Sequence, residues 1–172
     1  QILGAANAFK EGDQIVGVAA VDEITRTTAR ALLAATRLNQ IDAHPLLEDD
    51  LFRFLRASLD TQAAEKAANL TFAELKHLLL NSREEENQPL LPGLSSDVIG
   101  CVVKLLSDEE LITVGKKIFH PLPGSHIGAK GYLGARIQPN SPTDNVSDIQ
   151  WQVFDGWSYA VGDVVLGTNP VS

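Results

Sequence analysis

The first two thirds of the chain carry their apolar residues in a helical rhythm. Between residues 23 and 38, Ile24, Thr28, Ala31, Leu32, Ala35 and Leu38 recur every three or four positions and so line one stripe of a helix. Asp22 and Glu23 precede them, at the end where the helix dipole favours negative charge. The run DDLFRFLRASLD predicts a second helix. Thr71 with Glu74 three residues on has capping-box spacing and opens a third, which carries Leu75, Leu78 and Leu79. NSREEENQP, residues 81–89, is charged, lacks an apolar period and runs into LLPGLSS, so it reads as an exposed connector ending at Pro92 and Gly93. A further helix begins near Ser96 with Val98, Cys101, Val102 and Leu105, and Ser107 with Glu110 repeats the capping-box spacing ahead of Leu111 and Ile112.

The rhythm changes after HPLPGSHIGAKGY. Residues 131–137 are short, partly apolar and bounded by turn residues, as a strand would be. NSPTDN turns the chain, and Ser147 with Gln150 offers a helix start before Ile149, Val153, Phe154 and Trp157. DVVLGTN is a continuous apolar run of the kind found in strands of a parallel sheet covered on both faces. Strand, helix and strand together make one βαβ unit. The expected fold class is α/β, with a mainly helical region over residues 1–123 and the βαβ unit over residues 124–172.

Composition narrows the partners. With 44% hydrophobic and 21% charged residues the chain is ordinary for a globular domain with its own core. Its 14 basic and 22 acidic residues leave a net charge of -8, and no Lys or Arg run gathers on a predicted face, which argues against nucleic acid and anionic membrane. A single cysteine, Cys101, excludes an internal disulfide framework and favours a reducing, intracellular setting. No apolar run approaches the roughly 18 residues of a membrane span, and no signal peptide opens the chain, so a soluble protein is expected. The chain starts on Gln1 and stops at GTNPVS directly after a predicted strand, which reads as a piece of something longer.

Most candidate motifs have plain structural explanations. Gly124, Gly128, Gly131 and Gly134 match neither a P-loop nor GxGxxG and are read as a flexible entry to the strand. His44, His77, His120 and His126 show no zinc-site spacing, so no metal site is assigned. Cys101 falls on an apolar helix stripe, the place of a small buried hydrophobe. Glu48, Asp49 and Asp50 read as a solvated helix start, and Glu84, Glu85 and Glu86 as a charged loop. Trp151, Phe154 and Trp157 recur at helical spacing and mark a core or interface face rather than a ligand cage.

GARIQPN is different. Alternate strand residues point to opposite faces, so Arg136 and Gln138 share one face while Ala135 and Ile137 share the other. In a βαβ unit the C-terminal ends of both strands lie on one edge, so Gln138, Asn140 and Asn169 would converge there, on the edge where parallel α/β folds bind ligands.

With GARIQPN, the helix after it, VGDVVLGTNPV, GDQIVGVAA, DDLFRFL and LSSDVIGCVVKLLSDEELITVGKKI, nearly the whole chain resembles the N-terminal portion of the large, catalytic subunit of adenosylcobalamin-dependent ethanolamine ammonia-lyase. The two strand motifs are the specific part. The resemblance implies a helical region leading into a (β/α)8 TIM-type barrel, truncated here to its first two strands and the helix between them. It implies a radical lyase of ethanolamine utilization that releases acetaldehyde and ammonia. The family's Arg-x-Gln motif falls on Arg136 and Gln138, and its Asn-Pro on Asn169 and Pro170. By that carry-over Arg136 is catalytic, Arg136, Gln138 and Asn169 bind ethanolamine, and Pro170 lies against adenosylcobalamin. Ile137 stands where Leu is usual, a change expected to matter little because the side chain faces away from the site. The implied partners are a small subunit of the same lyase and further large subunits, and the implied location is the cytoplasm or a bacterial microcompartment. Because the remaining βα units are missing, this piece alone is expected to be inactive. A non-enzymatic helical interaction or scaffold module, with Trp151 and Trp157 on its partner face, is the competing class.

Overall fold

The computed structural model describes residues 1–45, 47–119, 121, 123–143 and 145–167. The chain divides into two compact units, Gln1–Lys117 and Ile118–Ser172.

The first unit is helical: α1 (Ile2–Ala5), α2 (Glu11–Ile15), α3 (Glu23–Ala35), α4 (Leu38–Asp42), α5 (Asp50–Ala57), α6 (Thr61–Ala67), α7 (Phe72–Asn81), α8 (Glu84–Asn87), a 3-10 turn (Leu91–Gly93), α9 (Ser96–Val103) and α10 (Asp108–Gly115). Local chemistry sets most of the starts. Asp22, Asp49 and Asp60 accept hydrogen bonds from the N–H groups of Thr25, Phe52 and Ala63, which would otherwise be orphaned in the first turn. The capping box at α7 is closed, with Thr71 N–H donating to Glu74 at 2.7 Å and Glu74 N–H donating to Thr71 Oγ1 at 3.2 Å. Ser107 and Glu110 close the same box at α10. Glu110 also receives Lys76 Nζ at 2.8 Å, which ties α10 to α7. The long helical stripe predicted to Leu38 breaks at Thr36, which turns extended; Leu38 N–H then donates to Leu70 O and Phe72 N–H to Thr36 O, clamping this break to the start of α7.

The core of this unit lies between α3, α7 and α9, where Leu33, Phe72, Leu75 and Val98 are fully buried. Cys101 is buried on α9, and desolvation pushes its thiol pKa up, away from the thiolate a nucleophile needs. The charged run at 84–86 is not a loop as the sequence implied. It forms the single turn α8, because Arg83 N–H donates to Glu86 at 2.9 Å and Asn87 folds inward to 7% exposure, its amide donating to Leu78 O. The 3-10 turn packs so tightly on α6 that a Cβ on Gly93 would run into the backbone of Ala63 and Ala64.

The second unit holds β1 (Ala135–Ile137), α11 (Val146–Ser158) and β2 (Val164–Leu166), with β1 and β2 parallel in the register Ala135 to Val164 and Ile137 to Leu166. This is the predicted strand, helix and parallel strand. β1 is shorter than expected, because Gly131 adopts φ +77° and a turn donates Tyr132 N–H to Ala129 O ahead of it. α11 starts at Val146 rather than at Ser147, because Asn145 is the cap and accepts from Asp148 N–H at 3.0 Å. Trp151, Phe154 and Trp157 are 72%, 55% and 48% exposed, so they form an open stripe on α11 rather than a core of this unit.

Candidate functional site

The edge formed by the C-terminal ends of β1 and β2 is organised from β1 outward. Along 135–138 burial alternates, with Ala135 and Ile137 half-buried and Arg136 and Gln138 exposed, so the guanidinium and the amide share the open face. The other face is taken by α11. A Cβ on Gly156 would sit 2.6 Å from Ile137 Cδ1, so the helix rides directly on β1 where it has no side chain. Ile137 does face away from Arg136, but it is not a bystander: its branched side chain fills the space that this glycine leaves.

Past β1 the loop is held by the helix. Gln152 accepts from Asn140 N–H and donates back to Asn140 O, both at 2.9 Å, a two-point lock between loop and α11. Ser141, only 3% exposed, accepts from Asn145 N–H at 3.2 Å and so links the loop to the helix cap. The backbone that carries Arg136 and Gln138 is therefore fixed by residues that sequence reasoning passed over. Gln152 gave no signal, since its partner is main chain twelve residues earlier.

The Arg136 guanidinium lies along the end of β2. Gly167, whose N–H donates to Ile137 O at 3.0 Å and extends the ladder, is the residue beneath it: a Cβ there would fall 2.5 Å from Arg136 Nε and 2.7 Å from Cζ. The other two predicted site residues, Asn169 and Pro170, lie outside the described residues. Chemically, this edge presents a permanent, directional cation beside an amide that both donates and accepts, on an open surface. Such a pair suits a small neutral or anionic oxygen function. Among the described residues no group of three or more His, Cys, Asp or Glu side chains is placed to hold a metal ion.

The comparisons with known proteins cover the same stretch. The family model described as ethanolamine ammonia lyase large subunit (EutB) matches residues 1–172. The chain belongs to that family. The ethanolamine ammonia-lyase large subunit of Salmonella typhimurium is 31% identical over 180 residues, and that of Escherichia coli K12 is 32% identical, each across the whole of this chain. The chain spans 39% of the length of these large subunits. No described helix of the chain is long and apolar enough to cross a membrane.

At the opposite, N-terminal end of β2 the chain has a clasp that is structural rather than catalytic. Asp163 accepts from Ser125 Oγ at 2.9 Å and from His126 N–H at 3.1 Å, and Ser125 Oγ in turn accepts from Ile127 N–H. The three residue types resemble a hydrolytic triad, but the hydroxyl gives its proton to the carboxylate and the histidine contributes its backbone N–H, which is not the serine-to-imidazole relay of a triad. The His126 N–H, followed by the Ser125 hydroxyl, holds the Asp163 carboxyl below the usual carboxylate range. A depressed folded pKa contributes stability that is present above the unfolded pKa of ~3.9 and is lost as pH falls through the folded value. Amide exchange at His126 is therefore expected to accelerate on acidification below about pH 4, relative to amides elsewhere in the unit, and Asp163→Asn is expected to show the fast rate already at neutral pH. Equal protection in the variant would remove the clasp.

Proposed function

We propose that this chain is the part of an ethanolamine ammonia-lyase large subunit that opens its barrel, and that the edge bearing Arg136 and Gln138 is the first wall of the ethanolamine site. The observation that carries the reading is the open, locked edge of β1 with its guanidinium across β2, in a chain that matches the family over its full length. On this reading β1, α11 and β2 are the first βαβ unit of a (β/α)8 TIM-type barrel. The open face of β1 is then the inside of the barrel mouth, where such folds place their chemistry.

Arg136 would donate to the substrate hydroxyl, and its guanidinium would stabilise negative charge growing on that oxygen during the reaction. Gln138 would donate with its NH2 and accept with its carbonyl, spanning the hydroxyl and amine ends of one small amino alcohol. Asn169 would complete the substrate contacts of this chain. Adenosylcobalamin, when bound, supplies the radical chemistry that no side chain offers. Arg136 and Gln138 together offer hydrogen-bond donors and an acceptor on one face of β1, which fits a polar substrate. The contact of this chain with the cofactor would fall to Pro170, and most of the others to parts of the parent subunit not present here. The complete large subunit would pair with a small subunit and with copies of itself, in the cytoplasm or a protein-shelled compartment, and the 172-residue piece alone would be inactive.

The exposed Trp151, Phe154 and Trp157 stripe favours a second reading, a non-enzymatic interaction module. One assay separates the two. The complete large subunit with its small subunit should release acetaldehyde from ethanolamine only when adenosylcobalamin is added. No acetaldehyde under those conditions would leave the interaction module as the better account.

A further inference from the structure

Gly167 sits where the backbone does not ask for glycine. Its φ lies outside the left-handed region that Gly17, Gly124, Gly128, Gly131 and Gly162 occupy, and its N–H simply continues the ladder to Ile137 O at 3.0 Å. At such a position glycine brings only the entropic cost of its freer unfolded backbone. What the missing side chain does provide is space. The volume that a Cβ would take is filled by the Arg136 guanidinium, with Nε at 2.5 Å and Cζ at 2.7 Å from the Cβ position. Arg136 is paired with Val165, so Val165 and Gly167, the residue just past β2 that continues its ladder, turn the same face as Arg136. Val165 cannot be crossed at that height without contact, whereas Gly167 can.

We propose that Gly167 is a positioning residue, whose lack of a side chain seats the Arg136 guanidinium flat across the end of β2 and thereby sets the height and direction of the cation that meets the substrate oxygen. The inference rests on the reading of Arg136 as a substrate residue. A methyl group at 167 would lift the guanidinium off β2 toward the open face, into the space where the small substrate binds. Because the displaced atoms are the far end of a flexible side chain and not backbone, the fold should tolerate the change.

The test is a double-mutant cycle in the complete enzyme with adenosylcobalamin, reading kcat, KM and the thermal midpoint. Gly167→Ala should leave the midpoint unchanged and lower kcat/KM for ethanolamine by about 10- to 100-fold, the range in which misplacing a reacting partner by an ångström falls. In an Arg136→Lys background the same Gly167→Ala change should cost less than about 2-fold, since the group it displaces is gone. A Gly167→Ala enzyme within 2-fold of the parent, or an undiminished loss in the Arg136→Lys background, overturns the inference while leaving Arg136 in its role. If Arg136→Lys alone keeps full activity, the reading of Arg136 fails and this inference fails with it.

Discussion

On the proposed reading, Arg136→Lys in the complete large subunit is expected to lower turnover by about 30- to 1,000-fold, the effect of losing one preorganised donor worth ~2 to 4 kcal/mol at a developing oxyanion. Charge alone does not rescue it. Lysine keeps one positive charge but replaces a planar fork of five N–H donors with a compact ammonium on a freely rotating stem. The fork is what the structure has arranged: the guanidinium is supported from below by Gly167, and the strand that carries it is locked through Asn140 to Gln152 on α11. An ammonium would not be held by that bed. The expected pattern is a fall in kcat larger than the rise in KM, because growing charge on the oxygen is a property of the transition state and not of bound ethanolamine. Acetaldehyde release under saturating substrate measures it, and unchanged turnover would remove Arg136 from the chemistry.

The largest expected effect on stability comes from Gly93→Ala in the helical unit. Gly93 is buried, and its Cβ would lie 2.6 Å from Ala64 Cα and closer still to Ala64 N and Ala63 C. All three are backbone or backbone-bonded atoms of α6, so no rotamer change makes room. Relief requires moving the 3-10 turn off the helix, which would strain the hydrogen bond from Asp60 N–H to Pro92 O at 3.1 Å and the Asp60 cap on Ala63 beside it. Overpacking of this kind costs about 3 kcal/mol or more, which lowers a thermal midpoint by roughly 10 °C in a domain of this size. Gly100→Ala is the control. Gly100 lies inside α9 with nothing within 4 Å of its Cβ position, and the change should be neutral or stabilise by up to about 1 kcal/mol through helix propensity. Thermal unfolding followed by far-UV circular dichroism compares the pair; equal midpoints would show that the turn and α6 do not meet as described.

How far the sequence revealed these features depended on the range of the interaction behind each. The boxes at Thr71 and Ser107 were legible because cap and partner are three residues apart and of the expected types. α8 was not, because its cap is Arg83, an unusual residue for a helix start, and its stability owes much to Asn87 folding back onto α7. The cap of α11 lies at Asn145, two residues ahead of the Ser147 that the pattern points to, because both carry a capping side chain and only the backbone decides which is used. The shared face of Arg136 and Gln138 followed from the two-residue period of a strand, which needs no tertiary information. The glycines at 93, 156 and 167 are another matter. Each is defined by what approaches it from another element, and one-dimensional pattern carries no trace of that approach. The exposed aromatic stripe was half legible, since helical spacing identifies a face but not what covers it.

The most direct test of the central claim is a crystal structure of the complete large subunit with its small subunit and cobalamin, soaked with ethanolamine. The substrate hydroxyl is expected within about 3 Å of the Arg136 guanidinium and the Gln138 amide, at the C-terminal ends of β1 and β2. Ethanolamine bound away from these strand ends, with Arg136 turned to solvent, would contradict it.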